Sequence, residues 1–263
     1  MSQHQAKKRF GQNFLHDRGV IDRIIRAIRP KPGERIIEIG PGLGALTVPL
    51  LAELGQLEVI ELDRDIIPKL QAACDGVGTL HITQADALKL DYTALANGQS
   101  LRLVGNLPYN ISSPLLFHLL DHAAAITDMH FMLQKEVVDR MCASAGEADY
   151  GRLSVTIAAR AQAERLFVVG PGAFQPAPKV DSAIVRLTPR PPSFAIDCPA
   201  DFQRVVTAAF SQRRKQLRNT LKGLMTADAI TACDIDPSIR AEQLSPADFA
   251  TLANALGRVD IAP

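Results

Sequence analysis

No run of apolar residues in this 263-residue chain is long enough to span a bilayer, and its start, MSQHQAKKRF, is polar and basic without the apolar core of a secretory signal. A membrane partner is therefore not expected, and a soluble protein of the cytoplasm is. Cysteine is sparse: Cys74, Cys142, Cys198 and Cys233 stand singly, with neither the paired spacing of a zinc site nor the density of a disulfide scaffold. Reduced structural thiols and no metal centre are expected. Internal repeats and low-complexity tracts are absent as well, and the formal net charge is only +1. That small total hides an asymmetry. Lys7, Lys8, Arg9, Arg18, Arg23, Arg26 and Arg29 crowd the first thirty residues, and Arg204, Arg213, Arg214, Lys215, Arg218 and Lys222 follow Asp201 with no acid among them. Two basic segments at opposite ends of a near-neutral chain point to a polyanionic partner, most simply a nucleic acid.

What is present is an alternation of strands and helices. An amphipathic helix from about Val20 to Ile28 stops at Pro30-Lys31-Pro32-Gly33. Strands are predicted at 35–40, 57–62, 79–83, 101–104 and 128–133, with helices over 45–54 and 65–74 and another from about Lys135. The pattern defines an α/β fold with a doubly wound, mainly parallel sheet. After Tyr150, segments 164–169 and 181–188 are strand-like and are expected to close the sheet as an antiparallel pair. Pro189, Pro191, Pro192 and Pro199 mark a linker, and beyond it 202–224 and 246–256 have helical spacing. Two domains follow: 1–190, with 1–30 as an arm and helix closing a ligand site, and a small all-α domain over 191–263.

Gly40-Pro41-Gly42-Leu43-Gly44-Ala45, between the first parallel strand and its helix, lets backbone approach a ligand that side chains would exclude. The spacing fits the dinucleotide fingerprint, so a nicotinamide-dependent dehydrogenase is one reading of it, although no acid/base residue stands out beside a hydride site. Glu61, at the end of the next strand, is placed to accept hydrogen bonds from both hydroxyls of a ribose. That carboxylate is needed in either reading.

Leu101 to Ser112, LRLVGNLPYNIS, places an amide, a proline and an aromatic ring at the end of a buried strand that Gly105 is expected to terminate. Pro108 biases Leu107 away from helical angles, which turns nearby carbonyls outward. The exocyclic amine of a nucleobase is a poor nucleophile because its lone pair is delocalised into the ring. Acceptors for its hydrogens, here the Asn106 side-chain oxygen and a carbonyl beside Pro108, would draw the nitrogen toward tetrahedral geometry, while Tyr109 could stack on the base.

Asn106-Leu107-Pro108-Tyr109 resembles the (Asp/Asn/Ser)-(Pro/Leu)-Pro-(Tyr/Phe) motif of S-adenosyl-L-methionine-dependent N6-adenine methyltransferases. Glu38 before Gly40 gives E-x-G-x-G-x-G, similar to their first motif. FGQNFLHD, EIGPGLGALT, VIELD, QADAL, NLPYNISSP, MLQKEV and FQPAPKVDSAIVRL occur in order over nearly the whole chain. As a set they resemble the bacterial small-subunit (16S) ribosomal RNA adenine dimethyltransferases.

The resemblance implies a Rossmann-like methyltransferase domain and methylation of N6 on two adjacent adenines in the 3′-terminal hairpin loop of 16S rRNA, within the immature 30S subunit. It also implies roles for individual residues. Asn13 and Leu15 would close over the methionine end of the cofactor, and Gly40, Gly42 and Glu61 would hold its middle. Asp86, with Ala87, would meet its adenine; the plainer alternative by position is a helix cap. Asn106 would touch cofactor and target, with Leu107, Pro108 and Tyr109 completing the catalytic turn. Phe174, read as exposed, would face Tyr109 across the flipped base; the plainer reading makes it a plug at the sheet edge. Lys179, Arg213, Arg214, Lys215, Arg218 and Lys222 would contact RNA. No histidine is given a role. His16, His81, His118, His122 and His130 are expected to be caps, surface or satisfied core residues, and a monomer is expected. A non-catalytic RNA-binding assembly or transcription factor on the same fold is the other alternative.

Overall fold

The computed structural model describes residues 13–259. His4, Lys7, Lys8, Arg9 and Gln12, on which the sequence reading drew, lie outside them. Two compact units are formed, one from the chain up to Val138 with Glu164–Pro189, the other from Asp139–Ala163 with the chain from Arg190 onward. Segment 139–163 thus packs with residues far downstream, where the prolines alone suggested a single cut at 190.

The first unit begins with a short strand β1 (Phe14–Leu15) and helix α1 (Arg18–Ile28). Asp17 caps α1 by accepting from the Val20 N–H at 3.0 Å, and the helix ends at Arg29, whose φ of 50° leads into the proline pair. There follow β2 (Arg35–Ile39), α2 (Thr47–Leu54), β3 (Gln56–Glu61), α3 (Ile67–Cys74), β4 (Thr79–Gln84), α4 (Tyr92–Ala96), β5 (Leu101–Asn106), α5 (Ser112–Asp121) and β6 (Ile126–Gln134). Helix α6 (Lys135–Cys142) and α7 (Arg152–Ala158) precede β7 (Ala161–Val169), β8 (Phe174–Gln175) and β9 (Ser182–Pro189). The main sheet has the order β4-β3-β2-β5-β6-β9-β7. Its first five strands are parallel and β9 runs antiparallel to β6. Strand order reverses between β2 and β5, and their two outgoing loops part there to leave a crevice at the carboxyl edge.

Gly105 does not end its strand as expected. β5 continues through it to Asn106, which pairs with Met132 on β6. A Cβ at 105 would lie 2.3 Å from the Ile39 carbonyl oxygen, so the glycine is there to let β5 approach the end of β2. At the other end of β5, Arg102 donates to Asp128, to Glu34 and to the Ile28 carbonyl, which ties the end of α1 to the sheet. Ile24, Ile25 and Ile28 of α1 pack with Ile36, Val104, Met132 and Ile184 from the sheet. A separate two-stranded ribbon pairs Phe14 with Gln175 and Leu15 with Phe174.

The second unit holds α8 (Pro199–Ala209), α9 (Leu217–Thr220), α10 (Ala227–Thr231) and α11 (Pro246–Val259) around Phe202, Val205, Val206, Leu217, Phe249 and Leu252. Helical spacing over 202–224 is not realised as one helix: residues 211–216, where the basic cluster sits, form turns. The break has a physical cause, since Leu217 and Arg218 donate their N–H groups to the Ile239 and Pro237 carbonyls, contacts that a continuous helix would forbid.

Four of the histidines fit expectation: His16 and His81 are exposed, the His118 ring contacts the Leu90 carbonyl and the His122 ring the Thr93 hydroxyl. His130 does not. It is buried, neither ring nitrogen has a hydrogen-bond partner among the described residues, and its Nδ1 lies 3.7 Å from Asp128.

Candidate active site

A cavity of about 350 Å³ opens in the crevice between the β2 and β5 loops. Its wall brings together Asn13, Leu15, Glu38, Gly40, Gly42, Glu61, Asp86, Ala87, Asn106, Leu107, Pro108 and Tyr109. Of the residues predicted for cofactor and catalysis, only Phe174 is missing from it.

Each wall has a local origin. Gly40 and Gly42 hold φ values of 69° and 55°, which side chains resist, and a Cβ on Gly42 would meet the Phe14 ring at 3.3 Å. Glu61 receives the Asp63 N–H at 2.7 Å on one oxygen and the Gly42 N–H at 3.4 Å on the other, which fixes the carboxylate at the cavity wall. Asp86 caps no helix. Its Oδ1 accepts from the Leu88 N–H at 3.1 Å and closes a turn whose shape is held from below by the Tyr92 hydroxyl, which donates to the Ala87 carbonyl at 3.0 Å. The Ala87 N–H makes no hydrogen bond within the described residues.

Glu38 is 1 % exposed, and the Thr47 hydroxyl donates to it at 2.6 Å. Burial lifts its pKa to about 7; the Thr47 hydrogen bond opposes the rise and the charge of Glu61 adds to it. Burial raises the Glu61 carboxyl too, against its backbone donors, and the Cys74 thiol is raised by burial and by Glu38. A carboxyl whose pKa is higher folded than unfolded contributes fully below its unfolded pKa and loses that contribution as pH climbs through about 7. Glu38→Gln is therefore expected to unfold much like the parent at pH 5 and to be more stable by about 2–3 kcal/mol at pH 8.5. Thermal melts at both pH values check this, and a gap that does not widen with pH would contradict it.

Asn106 is oriented from outside its own strand. Its Nδ2 donates to the Asn13 carbonyl at 3.0 Å, which fixes the amide's sense, since a carbonyl can only accept. The Oδ1 accepts from no described residue. Next to it, Leu107 is turned so that its N–H reaches the Met132 carbonyl at 3.2 Å, while its own carbonyl accepts nothing from the described residues. Pro108 supplies its carbonyl to the Ile111 N–H. Two acceptors at adjacent residues, one amide oxygen and one main-chain carbonyl, thus take no hydrogen bond from the described residues, and both residues line the cavity with Tyr109. Burial raises the Tyr109 phenol and a hydrogen bond with Ser182 at 2.8 Å opposes the rise.

Phe174 was expected to be exposed but is 2 % exposed and packs in the core beside Leu15, in the ribbon with β1. Its apolar ring lies on the covered face of that short pairing with Leu15, while Gln175 stays exposed. Leu43 and Leu62, 37 % and 51 % exposed, line the cavity as well. Neither was predicted. Leu62 follows Glu61 directly, and that adjacency was the available signal. Lys179 is exposed in the first unit, and Arg213, Arg214, Lys215, Arg218 and Lys222 are all exposed in the second. Arg213 is partly spoken for, by the Ala148 carbonyl and by Glu242 at 3.6 Å. Among the described residues no group of three or more His, Cys, Asp or Glu side chains is arranged to hold a metal ion, and no helix is long and apolar enough to cross a membrane.

A five-stranded parallel sheet extended by an antiparallel β9, with a glycine turn and paired buried carboxyls at its switch point, is a Rossmann-like methyltransferase. Solved structures agree: a dimethyladenosine transferase from Plasmodium falciparum superposes with a TM-score of 0.79 at 28% identity, covering 93% of this chain and 98% of that one. The 23S rRNA methyltransferase ErmE does so at 0.73 and 25%, covering 93% and 100%. The model of the ribosomal RNA adenine dimethylase family matches residues 3–257, and the chain belongs to that family. Curated relatives include the Ribosomal RNA small subunit methyltransferase A of Pseudomonas aeruginosa, 58% identical over 98% of this chain and 97% of that protein. The protein of the same name from Xanthomonas axonopodis pv. citri is 57% identical over 95% of each. The dehydrogenase reading of the glycine turn is thereby set aside.

Proposed function

We propose that the protein transfers methyl groups from S-adenosyl-L-methionine to N6 of two adjacent adenines in the loop of the 3′-terminal hairpin of 16S rRNA, giving N6-dimethyladenines late in 30S subunit biogenesis. It acts in the cytoplasm, as a monomer, on RNA within the immature particle. The observation that carries this reading is the Asn106 amide, held by Asn13 with its oxygen, like the neighbouring Leu107 carbonyl, accepting from none of the described residues. The cavity suits the cofactor: its volume falls in the range of small-molecule sites, and buried carboxyls favour a cationic, hydroxyl-bearing ligand. Asp86 and the unpaired Ala87 N–H offer an acceptor and a donor to an adenine edge.

When bound, the cofactor supplies an electrophilic methyl on a sulfonium. The residues of the chain prepare the nucleophile. The Asn106 oxygen and Leu107 carbonyl accept the two amine hydrogens and localise the nitrogen lone pair, and Tyr109 presents its ring to the base. After transfer the nitrogen carries an acidic proton that passes to water, so no strong base is required. As the second face of a clamp, Phe174 would have to leave its packing under the ribbon; in this reading Tyr109 bears the stacking and Phe174 is recruited from the core beside Leu15.

The test is nucleoside mass spectrometry on small-subunit RNA after pre-methylation particles are incubated with protein and cofactor. N6,N6-dimethyladenine should accumulate, and its absence would overturn the proposal. For RNA contact, Arg214→Glu with Lys215→Glu is the informative pair, because Arg213 also braces the turn. The double variant should bind particles more weakly and flatten the slope of log K against log salt by about 1.5–2. An unchanged slope in filter binding would move the contact elsewhere.

A further inference from the structure

Serine in the middle of a sheet is an expense unless its hydroxyl is bonded, because a buried polar group without a partner loses its hydration for nothing. Ser182 opens β9 and is 0 % exposed. Its hydroxyl is matched to the Tyr109 hydroxyl at 2.8 Å, and Ser182 itself does not line the cavity. The seat is fixed from two directions: Ser182 pairs with Gln134 on β6, and the Lys135 N–H donates to the Asp181 carbonyl at 2.9 Å. Tyr109, by contrast, stands on a turn, where its carbonyl accepts from the Ser112 hydroxyl at 3.0 Å. The residue is therefore held at its main chain and at the far end of its ring, and it lines the cavity.

We propose that Ser182 is a positioning residue for base stacking: it pins the Tyr109 phenol to the sheet, so that the ring stands as a fixed platform before a base arrives. The proposal rests on the reading of Tyr109 as the stacking residue. A wall that only had to be filled could use phenylalanine against alanine at the same volume and avoid burying two hydroxyls. Preorganisation is what the pair adds, since a ring free to turn about two dihedral angles must be ordered each time the base enters.

The experiment uses pre-methylation small-subunit particles carrying 2-aminopurine at the first target adenine, with whole protein and S-adenosylhomocysteine. Fluorescence rises when the base leaves the RNA stack and is quenched against an aromatic ring. Ser182→Ala and Tyr109→Phe should each weaken that quenching and, on unmodified particles, lower kcat about three- to tenfold, the loss of one neutral hydrogen bond. KM for particles and affinity for S-adenosylhomocysteine should hold. Ser182→Cys should fall between, and the double variant should be no worse than either single one. Should Ser182→Ala fail to fold, Tyr109→Phe keeps Ser182 in place and bears the test alone. Parent-like quenching and kcat in Ser182→Ala, or losses that multiply in the double variant, would overturn the proposal. Tyr109→Ala separates the two levels. If Tyr109→Ala is impaired while Ser182→Ala and Tyr109→Phe are not, only the role of Ser182 fails; if Tyr109→Ala is unimpaired, the stacking reading fails and this inference falls with it.

Discussion

Asn106→Ala is expected to abolish methyl transfer, by about two to three orders of magnitude or more, the scale of removing one preorganised polar group aimed at a reacting centre. The fold should survive. Asn106 is half-buried at the last position of β5, and the hydrogen bond it gives up, to the Asn13 carbonyl, contributes about 1 kcal/mol. Asn106→Asp is the sharper variant. Its side chain is nearly isosteric, but a carboxylate oxygen facing the Asn13 carbonyl has no hydrogen to offer, so the group must swing away and take its acceptor with it. Both variants are expected to fail together in a labelled-methyl assay while circular dichroism stays parent-like. Near-normal turnover by Asn106→Ala would remove the basis of the proposed chemistry.

Gly105→Ala is expected to be the most disruptive small change in the sheet. The added carbon would lie 2.3 Å from the Ile39 carbonyl oxygen and 3.3 Å from its carbon, both main-chain atoms of the neighbouring strand. No side-chain rotation relieves such a clash, so β5 and β2 must separate, at a cost of about 3–4 kcal/mol. The same movement displaces Asn106 from Gly40, where main chain already approaches main chain. Activity should therefore fall even below the melting transition. A melting temperature within a degree or two of the parent, by calorimetry, would show that the strands absorb the methyl group.

Much of this was legible before any coordinates, and for identifiable reasons. Alternating apolar runs and caps marked the five parallel strands, because burial on both faces leaves a compositional trace. The glycine turn, Glu61 and Asp86 each end a strand, and strand ends of one sheet edge converge by topology alone. What escaped notice depends on main-chain contacts between segments far apart, which leave no mark on composition. Gly105 looked like a terminator because close approach to Ile39 is written in the partner strand and not beside it. Phe174 looked exposed because it pairs with Leu15, at the other end of the unit's sequence. The turn at 211–216 looked helical because its carbonyl partners lie at 237 and 239.

The ribbon of Phe14–Leu15 with Phe174–Gln175 ties together two distant stretches of the chain. Directly before its first strand stands Asn13, whose carbonyl sets the Asn106 amide, and its second strand carries Phe174. Breaking these two residue pairs would unseat Asn13 beside Asn106 and uncover the Phe174 ring, so one local change would reach two distant stretches of the chain at once.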